Sequence, residues 1–260
     1  MTGGRSAPER LLAVLAAFDQ GHPALSLTAI SRRAGLSLTT THRLVAALAE
    51  WGALERDADG VYHVGLRLWE TAALAPRGLG LRQVALPYLE DLYEATHENV
   101  QLAVRDGEEV VYIEWISGRS AVGVRIQVGA RWPLHATGVG LALLAHEAPA
   151  LQDAYCAGPL TAFTPYTITD PALLRRTLAE VRRTGVAVSD RQITDDALSV
   201  AAPVHGPNGT VAAAVSVVVP HSGARTPALI PAVRLAARGI SRGLGWRPDG
   251  PTDRAPGTAT

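Results

Sequence analysis

Ser37, Thr39, Thr40, His42 and Arg43 fall within seven residues, and each carries a donor suited to an anionic or base-edge acceptor. They lie in a stretch, residues 20–49, that has no Asp or Glu yet contains Arg32, Arg33, Arg43, His22 and His42. A guanidinium can grip a phosphate or pair with O6 and N7 of guanine, and hydroxyls can donate to phosphate oxygens. The chain as a whole has no such bias, because 24 basic and 24 acidic residues cancel. The local positive island, not the net charge, is the signal. All the basic residues are arginine, which removes Schiff-base lysine chemistry and the lysine of phosphate-binding loops.

A second constellation is Thr137-Gly138-Val139-Gly140, which opens a helical pattern; free amides and the positive end of the helix dipole there suit a carboxylate or carbonyl oxygen. Close packing of a helix on a sheet explains those glycines equally well. Catalytic patterns are missing. His97-Glu98 and His146-Glu147 lack the second histidine a zinc helix needs, no nucleophile elbow or phosphate loop occurs, and the third glycine of a dinucleotide fingerprint is absent. Asp190, Ser199 and His205 form no recognised nucleophilic spacing. The single cysteine, Cys156, rules out an internal disulfide and a Cys-rich zinc site. No catalytic residue, metal or cofactor is therefore expected.

The elements that must position these residues follow from caps and periodicity. Residues 8–20 read as an amphipathic helix stopped by Gly21 and Pro23, and 26–34 as a short helix closed by Gly35. Ser37 caps a third helix, with Thr41, Leu44, Val45 and Leu48 as its buried stripe and Gly52 as its end. Two β-prone runs, 54–56 and 61–64, flank an Asp59-Gly60 turn. Three helices and a hairpin, with a glycine turn between the second and third helices, make a winged helix-turn-helix whose third helix fits the major groove. That arrangement puts Arg33, Ser37, Thr39, Thr40, His42 and Arg43 on the DNA side, with Arg56 in the wing beside Asp57 and Asp59.

Beyond residue 65 a helical linker, 66–78, leads through a break at Pro76-Arg77-Gly78 to a helix over 79–98. Strand-like runs follow at 100–105, 110–116 and 121–128, then helices at 137–146 and 171–184, strands at 186–189, 198–204 and 211–219, and a closing helix at 227–244. Strands with hairpin turns and helices in blocks describe an α+β domain with an antiparallel sheet. The tail, 248–260, rich in Pro, Gly and Thr, is expected to be disordered. With 260 residues, 47% of them hydrophobic, the chain is long enough for two domains, and its longest N-terminal apolar run, 11–18, is far too short for a membrane span. No membrane span or secretory signal is predicted, and the compartment expected is the cytoplasm.

The motifs Glu9-Arg10-Leu11-Leu12, Leu38-Thr39-Thr40-Thr41-His42-Arg43-Leu44 and Gly60-Val61-Tyr62-His63-Val64-Gly65 resemble the IclR family of bacterial transcription regulators. Farther on, Pro133-Leu134-His135-Ala136-Thr137-Gly138-Val139-Gly140, Val200-Ala201-Ala202-Pro203-Val204 and Ala212-Ala213-Ala214-Val215-Ser216-Val217 resemble its effector domain in order and spacing. The resemblance covers roughly residues 8–245. It implies a winged helix-turn-helix over 1–65, a linker helix over 66–78 and a GAF-like effector and oligomerisation domain over 79–247. It also implies that the amides of Gly138 and Val139 hold the effector, that Asp190 bonds at the pocket mouth, and that Ser199 and Ser216 face the ligand from adjacent strands. Val122, Val124 and Trp132 are candidates for an apolar floor. Val218 stands where the family often has serine, which implies a less polar effector. The expected protein is a non-enzymatic regulator that binds a roughly palindromic double-stranded operator as a homodimer or dimer of dimers. A small organic effector, with carboxylic acids among the candidates, sets its operator affinity. The alternative is a small-molecule-processing enzyme with an accessory winged helix.

Overall fold

A computed structural model describes residues 5–117, 127–223 and 225–247. It divides the chain into two units, Met1–Leu79 and Gly80–Thr260.

In the first unit, helix α1 (Ala7–Leu15) starts at a reciprocal cap: the Ser6 side chain accepts from the Glu9 amide while the Glu9 carboxylate takes the Ser6 amide. A two-residue strand, β1 (Ala24–Leu25), leads into α2 (Leu27–Ala34), capped by Ser26 and closed by Gly35 at φ 64°, a left-handed turn that glycine adopts without steric cost. Ser37 then caps α3 (Leu38–Trp51). Strands β2 (Leu54–Arg56) and β3 (Tyr62–Val64) form the wing, and β1 pairs with the other edge of β3, giving the order β1-β3-β2. The sequence indicates only the hairpin because two residues leave no alternation to read. Val14, Ile30, Val45, Leu48 and Leu54 fill the core, and α4 (Leu66–Ala72) packs Leu68 against it. That helix ends earlier than the linker pattern suggests. Pro76–Gly80, expected as a break, instead forms a five-residue π-helical turn that runs directly into the next helix.

The second unit begins with α5 (Leu81–Thr96), β4 (Asn99–Asp106), β5 (Glu109–Ile116) and a short β6 (Arg131–Pro133). Helices α6 (Gly138–Leu144), α7 (Pro149–Ala157) and α8 (Pro171–Thr184) follow, then β7 (Ala187–Asp190), β8 (Ala197–His205), β9 (Val211–Pro220) and α9 (Thr226–Gly243). The two strand triplets join through β4 and β9 into one antiparallel sheet ordered β6-β5-β4-β9-β8-β7. Side chains alternate across it. Val100, Leu102, Val104, Val200, Val215 and Val217 pack beneath α5 and α9, while Ala103, Ala201 and Ala214 pack beneath α6, α7 and α8. The α+β expectation holds. Helix α7 and strand β6 are not legible in the pattern; of the strand character expected at 121–128, residues 121–126 lie outside the described residues and Gln127 and Val128 lead into a turn instead, and the tail at 248–260 also lies outside them.

Candidate functional site

Each unit carries a candidate site. In the first, the α2–α3 turn presents the N-terminal end of α3. Ser37 is committed to it: its Oγ accepts from the Thr40 amide at 3.3 Å and donates to Thr40 Oγ1 at 2.9 Å. Thr41 is buried and donates to the Ser37 carbonyl, which locks the entry of the helix. Thr39, His42 and Arg43 are exposed along one face, and among the described residues no carboxylate pairs with either His42 or Arg43. Leu38, half exposed beside them, is an apolar contact that hydroxyl- and charge-based reading passed over.

Two expected DNA-side arginines stand differently. The Arg33 guanidinium turns toward α1, donating to the Ala17 carbonyl at 2.6 Å and pairing with Asp19. Through Nε and Nη2 it joins α2 to the segment that follows α1, because Asp19 lies within reach and the charge pair is made in place. Arg56 remains on the wing surface, its guanidinium 5.6 Å from the Tyr62 ring. Asp57, which would repel phosphate, bonds His63 at 2.9 Å, and that bond, with the Val61 amide, holds its carboxyl below the usual range.

In the second unit, a cavity of about 50 Å³ lies on the α6 side of the sheet, bounded by Tyr112, Trp132, Thr137, Gly138, Ser199 and Val218. Antiparallel register builds its floor. Ser189 pairs with Ser199 and Ser199 with Val218; in the next row Ala201 pairs with Ser216 and Ser216 with Gln101. Gly138 is required by proximity, since a Cβ there would sit 2.5 Å from Ser199 Oγ. At Gly140 a Cβ would meet the Leu134 carbonyl oxygen at 2.2 Å. Thr137 caps α6, accepting from the Gly140 amide at 3.0 Å, and bonds the buried Tyr112 hydroxyl, whose pKa burial pushes up. Among the described residues the Gly138 and Val139 amides have no partner, and Gly138 lines the cavity whereas Val139 is packed in the core.

The structure thus gathers Gly138 and Ser199 at the cavity, with Trp132 beside them. It does not gather Asp190. That carboxylate takes His221 Nδ1 at 2.7 Å and Arg191 Nε at 3.3 Å and lines no part of the cavity. Strand alternation is the reason: Ser189, one residue earlier, faces the cavity side and donates to the Ala136 carbonyl, so Asp190 faces away. Ser216, though on the correct face, is covered: its hydroxyl donates to Gln101 Oε1 at 3.1 Å, and Gln101 rather than Ser216 meets the cavity. Val122 and Val124 lie outside the described residues.

Gln101 and Thr194 went unnoticed in the sequence. Both line the cavity, and Gln101 Nε2 and Thr194 Oγ1 are buried without a hydrogen-bond partner among the described residues. Nothing in the local pattern marks them: Gln101, a polar residue in a strand, reads as solvent-facing, and Thr194 lies in the connection between β7 and β8. A nucleophilic set is not assembled either. His205 bonds the Gly209 carbonyl and stacks on Trp246, six residues along β8 from Ser199, roughly 20 Å at the usual strand rise. Cys156 is fully buried, and burial pushes its thiol up. Among the described residues no group of three His, Cys, Asp or Glu side chains is placed to hold a metal, and no helix is long and apolar enough to cross a membrane.

Two family models match the chain: the IclR helix-turn-helix domain over residues 7–58 and the bacterial transcriptional regulator IclR C-terminal domain over residues 74–242. The chain is 34% identical over 255 residues to the HTH-type transcriptional regulator BhcR of Paracoccus denitrificans, covering 95% of this chain and 90% of that protein. It is 32% identical to the regulator KipR of Bacillus subtilis, over 86% of this chain and 91% of that one. Among solved structures, an IclR homolog from Microbacterium hydrocarbonoxydans complexed with 4-hydroxybenzoate is similar at a TM-score of 0.87 and 38% identity, over 92% of this chain and 99% of that one.

Proposed function

The chain belongs to the IclR family of bacterial transcriptional regulators, and from that premise we propose how its two units divide the work. The first reads operator DNA. Helix α3 lies in the major groove with Thr39, His42 and Arg43 toward base edges, Ser37 and Thr40 toward phosphate, and Arg56 steadying the wing on the backbone. The observation that carries this reading is the exposed face of α3, where Arg43 and His42 remain unspent in a stretch without acids. Arg33 is not part of this surface, because Asp19 holds it.

The second unit binds a small organic acid between Gly138, Ser199 and the neighbouring strands, and the bound acid changes operator affinity. A similar regulator binds 4-hydroxybenzoate, which makes that acid the first candidate here. The protein works in the cytoplasm as a homodimer or dimer of dimers on a roughly palindromic site, its half-sites about one helical turn apart. It carries out no turnover and needs neither metal nor cofactor. Asp190 is better read as a partner of His221 than as an effector ligand.

Fluorescence anisotropy on the chain's own upstream DNA, titrated with protein and then with a panel of small acids, tests this reading. Sequence-specific binding reversed or strengthened by one acid is expected. Binding that no acid changes contradicts the effector half, and replacing Ser199 by Ala should abolish no hydrolysis of acyl esters.

A further inference from the structure

Resting on the effector reading just given, we propose that Gln101, held in place by Ser216, reads a hydroxyl group on the effector and thereby decides which small acids the pocket accepts. Gln101 is 2% exposed and Ser216 is wholly buried. They are cross-strand partners on β4 and β9, so the sheet register itself brings the two side chains together. The Ser216 hydroxyl donates to Gln101 Oε1 at 3.1 Å, which orients the amide and leaves Nε2 as the free end. That nitrogen is buried, borders the cavity and has no partner among the described residues.

A buried amide donor left unmade costs free energy, and folded proteins leave few such groups. Among the described residues a second such group borders the same cavity, since Thr194 Oγ1 is also buried and unpartnered. A ligand atom that accepts from Nε2–H relieves the first. Its charge state follows from the walls: among the described residues no Asp, Glu, Arg or His side chain lines the cavity, so a second carboxylate placed here would meet no counter-charge from them. An uncharged hydroxyl suits the place. It accepts from Gln101 and keeps a proton to donate, and the Thr194 hydroxyl can serve in either role. Val218, on the same face two residues beyond Ser216, adds no competing polar group. Sites built to bond a hydroxyl reject the analogue lacking it far more strongly than an apolar pocket rejects an extra methyl group.

Calorimetric titration of the full-length protein with 4-hydroxybenzoate, benzoate and 4-methylbenzoate tests the assignment. The wild type should prefer the hydroxylated acid over its methyl counterpart by about tenfold or more. In Gln101→Met the preference should collapse, with benzoate affinity retained. In Ser216→Ala, where the amide survives but loses its anchor, the preference should fall to an intermediate value. Thermal unfolding and operator binding on the same preparations show whether each variant is folded and whether the regulator reading itself stands. Equal affinity of the wild type for the hydroxylated and methylated acids overturns the proposal. So does a preference that survives in Gln101→Met, or no binding of any of the three acids at millimolar concentration by protein that still binds its operator.

Discussion

At the scale of single residues, the two glycines of α6 make a sharp comparison. Replacing Gly138 by Ala puts a methyl group 2.5 Å from Ser199 Oγ, a side chain that can turn aside. The variant should fold, lose about 1–3 kcal/mol in urea unfolding, and bind effector at least about tenfold more weakly because the methyl group occupies the cavity. Combining it with Ser199→Ala should restore most of the stability. Gly140→Ala meets the backbone of Leu134 at 2.2 Å and 2.6 Å, which cannot turn aside, so it should unfold more readily than Gly138→Ala in the same assay. Legibility at this scale was uneven. Gly138 is marked by the helix-start pattern and Ser199 by the family resemblance, but Asp190, marked by the same resemblance, stands on the other side of β7 by one residue, and a one-residue step reverses the face of a strand. Gln101 was invisible for a different reason: period-two alternation gives a side chain's face, not the neighbour that covers it, and Ser216 was credited with a contact that its strand partner makes.

At the scale of elements, helix caps did most to make the first unit readable. Ser26, Ser37, Gly35 and Gly52 stand at the helix ends that their types indicate, and Ser37→Ala should cost about 1 kcal/mol of stability by leaving the Thr40 amide unpaired. The same change should weaken operator binding, since α3 enters the groove by that end. Strand β1 and strand β6, two and three residues long, carry too little pattern to be read, and α7 is set by packing of Tyr155 and Cys156 rather than by a distinctive stripe.

The short helical turn before α6 gives the fold a pH dependence. The Tyr155 hydroxyl accepts the His135 backbone amide and lies 2.9 Å from His135 Nδ1, while Nε2 bonds the Thr161 carbonyl at 3.0 Å. Nδ1 must therefore be an acceptor, and burial holds the ring pKa below its ordinary value. His146 is held down the same way, chiefly by burial. Above about pH 6.5 both rings are neutral folded or unfolded, and stability does not change through them. Below that, the unfolded chain binds protons that the folded chain refuses, so stability falls as pH falls. Melting temperature should drop between about pH 7 and about pH 5. In the double variant His135→Gln and His146→Gln the drop should be shallower; an unchanged slope would remove these rings as the cause.

At the scale of the whole molecule, one family membership joins a DNA-reading unit and an effector unit in a single chain, and linkage constrains what that joining can do. Whatever factor the effector changes operator affinity by, operator DNA must change effector affinity by the same factor. Calorimetry of the effector with and without operator should give that equality, and unequal factors would mean that a further equilibrium, such as oligomerisation, is being counted in one of them. The division into two units was legible because charge, capping and hairpin signals cluster before residue 65 and long apolar strands dominate after residue 98. The connection between them was read less well, because a π-helical turn leaves no mark in a hydrophobic pattern.

Whether α3 reads DNA is decided by titrating the chain's own upstream intergenic DNA against unrelated DNA of equal length, at several salt concentrations, with the wild type and Arg43→Ala. Specific binding that weakens as salt rises is expected, with a loss of about 1–3 kcal/mol and relaxed sequence preference in the variant. Specific binding left unchanged by Arg43→Ala would contradict DNA reading by α3.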